Sequence, residues 1–243
     1  MAVFDLHVHT TRGSSDSSLT PEQLIEEAGR IGLDGVCLTE HGGGWDDHVL
    51  ADTFGASGIT VLRGLEVSTD MGHVIVIGIH SYIDPRMHDA AALRETVDRV
   101  GGVMISAHPF RNLFNRPPYN LNIVFNGPYG HPRTPAEAAR HPIFSLVDEI
   151  EAANGANSDE ENRFSLAVAR ELGMVGTAGS DAHSEHGIGR YVTVFDGDIR
   201  SERDLIEAIK AKAFEPAGGL NVGALERYDP PLGLPYPQPA PAG

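Results

Sequence analysis

The chain has 243 residues, room for one sizeable core, and a single α/β barrel takes about 200–250 residues. Its 18 Lys and Arg against 34 Asp and Glu leave a net charge of −16 with no basic stripe, which excludes a long nucleic-acid partner and restricts any anionic substrate to a small one. One cysteine rules out an internal disulfide, and with no apolar run of about 18 residues and no basic-then-apolar leader, neither a membrane span nor export is expected and a cytoplasmic location is.

The first strand is predicted near 2–6 and runs into Asp5-Leu6-His7-Val8-His9. Residues i and i+2 of a strand point the same way, so His7 and His9 present two imidazoles together while Leu6 and Val8 face away. The loop Gly13-Ser14-Ser15-Asp16-Ser17-Ser18 follows, from which Asp16 can reach a further metal position. A helix then starts with Thr20 as N-cap, Pro21 at its first position and Gln23 at the capping-box position, with Leu24, Ile25, Ala28 and Ile31 at helical spacing. A strand near 35–39 contains Cys37 as a core filler and ends on Thr39-Glu40-His41.

A strand near 59–66 ends on Gly64-Leu65-Glu66, and the next, near 73–79, begins at His73. Only six residues lie between Glu66 and His73, too few for a helical crossover, so a hairpin should bring His73 back beside Glu66. Without a hairpin, His80 at the other end of that strand becomes the ligand, and the choice stays open. A helix near 88–100 precedes a strand near 102–107 that ends on Ala107-His108-Pro109. Residues 109–142 carry seven prolines among aromatics and glycines and read as a lid or a peripheral insertion. Strands near 146–152 and 174–179 flank a helix near 158–172; the first leads into Asn154 and the second into Gly179-Ser180-Asp181-Ala182-His183, where Asp181 and His183 repeat the i, i+2 relation. A strand near 191–195 and a helix near 202–213 complete residues 1–226 as one domain. The Pro-rich stretch 227–243 reads as an exposed tail.

Strands alternating with helices argue for a parallel α/β sheet or barrel, and barrels carry their chemistry at the strand ends. Nearly every strand here ends on His, Asp or Glu, which points to a cluster of divalent metals and a metal-dependent hydrolase. His48, His88, His131, His141 and His186 have no comparable placement, although His186 is near enough in sequence to face a substrate.

In order over residues 5–183, the motifs resemble the PHP (polymerase and histidinol phosphatase) family of amidohydrolase-like metalloenzymes. They are Asp5-Leu6-His7-Val8-His9-Thr10, Leu38-Thr39-Glu40-His41, Gly64-Leu65-Glu66, Gly72-His73-Val74-Ile75-Val76, Ser106-Ala107-His108-Pro109-Phe110 and Gly179-Ser180-Asp181-Ala182-His183. The resemblance implies an α/β fold, a distorted, TIM-like (β/α)7 barrel, with two or three divalent ions. It implies that His7, His9, Glu66 and Asp181 hold the first metal, that Glu66 bridges to a second held by His73 and His108, and that Asp16, His41 and His183 hold the third. Some members have a histidine in place of Asp16. Glu66, Asp181 and His183 are accordingly the expected catalytic residues.

Three divalent ions would bring about +6 against −3 from three carboxylates, a surplus that suits a hydroxide and a phosphate dianion. Mixed His and carboxylate ligation suits Zn²⁺, Mn²⁺ or Fe²⁺. Arg111 and Arg190 each follow a ligand motif and could fork a phosphate or form a surface ion pair; Arg12 is less well placed. Asn154 can hydrogen-bond substrate or a ligand, and Glu151 is equally readable as structural. The expected activity is a metal-dependent phosphoric ester hydrolysis by metal-bound hydroxide, on a small phosphate monoester or a nucleotide-derived phosphate ester. Hydrolysis of a C–N or C–O bond and a non-catalytic metal-binding module are the alternatives.

Overall fold

The computed structural model describes residues 1–116 and 118–231, so most of the Pro-rich tail lies outside the described residues. In chain order the elements are β1 (Ala2–Val8), α1 (Pro21–Ile31), β2 (Gly35–Glu40), α2 (Asp47–Phe54), β3 (Thr60–Thr69), β4 (Gly72–Ile77), α3 (Ala90–Val100) and β5 (Val103–Ser106). They continue with α4 (Pro135–Ala138), β6 (Glu149–Asn154), α5 (Asp159–Glu171), β7 (Thr177–Gly179), β8 (Tyr191–Phe195), α6 (Glu202–Lys210), β9 (Phe214–Gly218) and β10 (Glu226–Arg227).

Local chemistry starts and stops these elements. Thr20 accepts from the Gln23 backbone while Gln23 accepts from the Thr20 backbone, a reciprocal cap worth about 1 kcal/mol, and Gly32 ends α1 at a φ of 77°. Asp46, Asp89, Thr134, Ser158 and Ser201 cap the later helices by accepting a first-turn backbone N–H, and Ser158 does so reciprocally with Glu161. No helix among the described residues is long and apolar enough to cross a membrane.

The strands form one mixed sheet in the order β10-β9-β8-β1-β2-β3-β4-β5-β6-β7. Strands β1, β2, β3, β5, β6 and β7 run parallel; β4 runs against β3 and β5, and β8 and β9 are also antiparallel to their neighbours. This differs from the parallel sheet that strand–helix alternation suggests, because the β3–β4 connection is a hairpin and β8 doubles back along β1. Phe4 and Leu6 of β1 share a core cluster with Ile105 of β5 and with Leu205 and Ile209 of α6, so strands far apart in the order meet and the sheet is curled. Beyond β7, Ala182 O accepts from the His9 backbone at 3.0 Å and the Ala182 N–H donates to His7 O at 3.3 Å. That pairing draws the end of β7 against the end of β1. Parallel strands of a curled sheet share one rim at their C-terminal ends, and the antiparallel β4 delivers its first residues there.

The segment 109–142 is anchored by buried Phe110, Leu113, Val124, Phe125 and Ala138, which pack with β3, β4, α3 and α5.

Candidate metal centre

His7 and His9, on one face of the β1 end, are fully buried with their Nε2 atoms 3.0 Å apart. Both nitrogens face Glu66 Oε2, at 3.3 and 3.1 Å, and Asp181 Oδ1, at 3.4 Å each. Their outer nitrogens are engaged: His7 Nδ1 lies 2.9 Å from Glu151 Oε1 and His9 Nδ1 lies 3.0 Å from Ser14 Oγ. A carboxylate can only accept, so His7 donates from Nδ1 and its Nε2 lone pair points inward. The Ser14 hydroxyl donates to Glu40 Oε2 at 2.7 Å, which leaves its oxygen to accept from His9 Nδ1. Two inward lone pairs at that spacing repel unless a cation or a proton lies between them. The donor set therefore fits a divalent ion, with its outer hydrogen bonds arranged as they are at metal-bound histidines.

Glu66 divides its two oxygens. Oε2 faces His7 and His9 and lies 3.6 Å from His41 Nδ1, whereas Oε1 lies 2.8 Å from both His73 Nδ1 and His108 Nε2. At the mouth, Asp16 Oδ2 is 3.3 Å from His41 Nε2 and 3.5 Å from His183 Nε2. Among the described residues, three groups have ligand atoms within 4.8 Å of one another: His7, His9, Glu66 and Asp181; Glu66, His73 and His108; and His9, His41 and His183. Glu66 and His9 each belong to two of them. The first group is buried, whereas His41, His73 and His183 are each about one-third exposed and Asp16 about half.

Burial alone would lower the His7 pKa, but Asp181, Glu151 and Glu66 outweigh it and hold it well above its ordinary value. In return, and against their own burial, Glu66 and Asp181 are held well below the usual carboxylate range. Burial and Arg111 push His108 down. Asp5 is pushed up to about 6 by burial, although the backbones of Ser180, Gly189 and His7 donate to it. The centre is thus a concentration of negative charge that calls for cations.

Residues 5–150 match the family model for the PHP domain and residues 159–214 the PHP-associated model. The chain belongs to the PHP domain family. It is 26% identical over 208 residues to a probable phosphatase of Thermoanaerobacter sp., covering 78% of this chain and 82% of that protein. It is 25% identical over 240 residues to an error-prone DNA polymerase of Mycolicibacterium paratuberculosis, covering 88% of this chain and only 22% of the polymerase. A solved two-domain protein from Bacteroides vulgatus, containing a predicted PHP-like metal-dependent phosphoesterase, superposes with a TM-score of 0.63 at 20% identity, over 88% of this chain and 64% of that one. At that identity the likeness speaks for the fold alone.

Around the centre of this PHP domain, the β3–β4 hairpin carries His73 to Glu66, while His80 pairs with Glu202 at 2.5 Å, outside all three groups. Arg111 Nη2 donates to Asp181 Oδ2 at 2.5 Å and to Asn154 Oδ1 at 2.7 Å, and its Nε donates to Asn157 Oδ1 at 3.2 Å. Arg190 donates to Gly155 O at 2.9 Å and lines a separate cleft of about 450 Å³ with Tyr191 and Tyr228. Arg12 lies over the Trp45 ring, 5.1 Å from its centroid, and His186 is exposed beside Glu185. Sequence reasoning gave no role to Glu40 and Ser14 and left Glu151 undecided. Buried Glu40 accepts from the Thr10 backbone and hydroxyl, from Ser14 and from Trp45 Nε1. Its place immediately before His41 was the available signal.

Proposed function

We propose that this PHP domain is a metal-dependent phosphoesterase that hydrolyses a small phosphate monoester or a nucleotide-derived phosphate ester. The observation that carries the reading is the division of Glu66, one oxygen to His7 and His9 and the other to His73 and His108. In this reading His7, His9, Glu66 and Asp181 hold one divalent ion, Glu66, His73 and His108 a second, and Asp16, His41 and His183 a third, with Zn²⁺, Mn²⁺ and Fe²⁺ all compatible. When bound, such ions activate water and neutralise phosphoryl oxygens.

The chain's own residues do the rest. Glu151 and Ser14 fix the tautomers of His7 and His9. Arg111, through Asp181 and Asn154, holds positive charge at the rim, where it can also orient a substrate anion. Arg190 offers a second guanidinium near Gly155. Glu66, Asp181 and His183 stand at the reacting centre, and His183 is partly open to solvent. We read β1 to β7 as the seven staves of a distorted (β/α)7 barrel within a domain over 1–226, with 109–142 as a lid or insertion beside the rim. The relative named a probable phosphatase, which this chain covers over most of its length, supports the same reaction class.

The engagement of Arg111 by Asp181 favours one second reading, hydrolysis of a C–N or C–O bond, because it leaves less guanidinium for a phosphate. A panel of phosphate esters, neutral esters and amides, run on Mn²⁺- and Zn²⁺-loaded protein with metal content measured, separates the two. Turnover of phosphate esters is expected, with Arg111→Ala lowering kcat/KM about ten- to a hundred-fold on them and by less on a neutral ester, which feels only the lost support of Asp181. Glu66→Gln should lower both metal content and turnover while the fold persists. Activity on neutral esters or amides alone, or full metal occupancy in Glu66→Gln, overturns the proposal.

A further inference from the structure

Glu151, buried on β6, is surrounded by donors. Its Oε1 accepts from His7 Nδ1 at 2.9 Å, and its Oε2 accepts from the His108 backbone N–H at 2.7 Å and from Asn154 Nδ2 at 3.0 Å. The first of these contacts orients an imidazole of the His7, His9, Glu66 and Asp181 group. The second pins the backbone of His108, a member of the other Glu66 group, at a φ of 31°, a region that L side chains seldom adopt unless their surroundings hold them there. Asn154, tied to Glu151 through Nδ2, uses its Oδ1 to accept from Arg111, which in turn holds Asp181. Asp181 is the other centre residue at positive φ, 54°.

We propose that Glu151 is a positioning residue that prepares both Glu66-linked metal positions at once, so that losing its acceptor character weakens both together. This rests on the metal-centre reading above. Three donors converge on Glu151, which therefore has to be an acceptor on both oxygens. Glutamine keeps one acceptor oxygen and so fails only one side at a time, whereas methionine, of similar length, offers a strong acceptor to neither. Glu151→Met leaves His7 without the partner that keeps hydrogen on Nδ1 and the Nε2 lone pair toward the first position, and it leaves the His108 backbone N–H without the acceptor that holds the strained turn of the second.

The test is calorimetric titration of metal-free wild type and Glu151→Met with Mn²⁺, with circular dichroism as the check of folding. Loss of such an outer hydrogen-bond partner typically costs 10- to 100-fold in metal affinity, and the fall is expected at both of the tightest equivalents. Affinities within twofold of wild type, or a fall confined to one equivalent, overturn the proposal. If the variant does not fold, histidine-selective ¹⁵N NMR of the Zn²⁺-loaded wild type decides instead. His7 should carry hydrogen on Nδ1 and none on Nε2, and the reverse tautomer overturns the assignment. Wild type that binds no Mn²⁺ at all removes the metal-centre reading itself, a failure distinct from a wild type and a variant that bind equally well.

Discussion

At the residue scale, the centre separates what a sequence displays from what it hides. His7, His9, Asp181 and His183 were legible because i, i+2 spacing puts two ligand-type side chains on one face and because ligand-type residues recur at one strand end after another, a repetition that an isolated pair lacks. Glu40, Glu151 and Ser14 were not, because a carboxylate or hydroxyl that backs a histidine carries no spacing of its own and only the folded chain brings it there. His73 and His80 show the same division. Six intervening residues argued for a hairpin and left His80 as the alternative, and only the structure gives His73 its 2.8 Å contact with Glu66 and sends His80 to Glu202. His73→Ala is therefore expected to lose about one equivalent of metal on elemental analysis. His80→Ala should keep full occupancy, with a stability loss of at most about 1 kcal/mol for a pair about one-third exposed. Metal loss in His80→Ala alone would move the ligand to the far end of β4.

At the element scale, the strands that carry the rim were readable from apolar runs, whereas α2, β9 and β10 were not anticipated. The α2 sequence Asp47–Phe54 fully buries only Phe54, with Val49 and Leu50 partly buried beside it, so the apolar stripe that would announce it is short. β9 contains Pro216 and β10 has two exposed residues, both tolerated because pairing with β8 and with β9 supplies what their own sequences lack. At the start of β6, Glu149 is buried and accepts from the Gly176 backbone at 2.9 Å. Burial raises its pKa, and the Gly176 and Val175 N–H groups only partly offset that. A carboxyl whose folded pKa is raised above its unfolded value of about 4.3 favours the folded state in its protonated form, so its contribution is present at low pH and is lost as pH rises through the folded pKa. Glu149→Gln keeps an acceptor for Gly176 and removes that loss. Urea titrations from pH 4 to 7 should find the variant gaining on wild type as pH rises. A constant difference across that range would mean that Glu149 ionises in the folded state as it does in the unfolded one.

At the scale of the whole molecule, a chain of net charge −16 concentrates Glu66, Asp181 and Glu151 around two buried imidazoles; Arg111 beside Asp181 brings one positive charge, and the rest has to come from protons or from metal. Without metal it comes from protons. Burial opposes the charged rings, yet the surrounding carboxylates raise both His7 and His9 above their ordinary pKa. A histidine raised in the folded state stabilises the fold fully below its unfolded pKa of about 6.5, and that contribution disappears as pH rises through the folded value. Glu66 and Asp181, depressed in the folded state, act in the opposite sense: their contribution is present above the unfolded carboxylate pKa of about 4 and is lost as pH falls through the folded values. The chelator-treated protein should therefore have its highest Tm between about pH 4 and 6.5 and lose stability above that window. Bound divalent ions would replace the protons, so the metal-loaded protein should release protons on loading and keep its Tm well into the alkaline range. Scanning calorimetry of chelated and Mn²⁺-loaded samples from pH 5 to 9 tests this directly. Parallel Tm profiles for the two samples would mean that His7 and His9 do not exchange protons for metal, and the centre would have to be built on other residues.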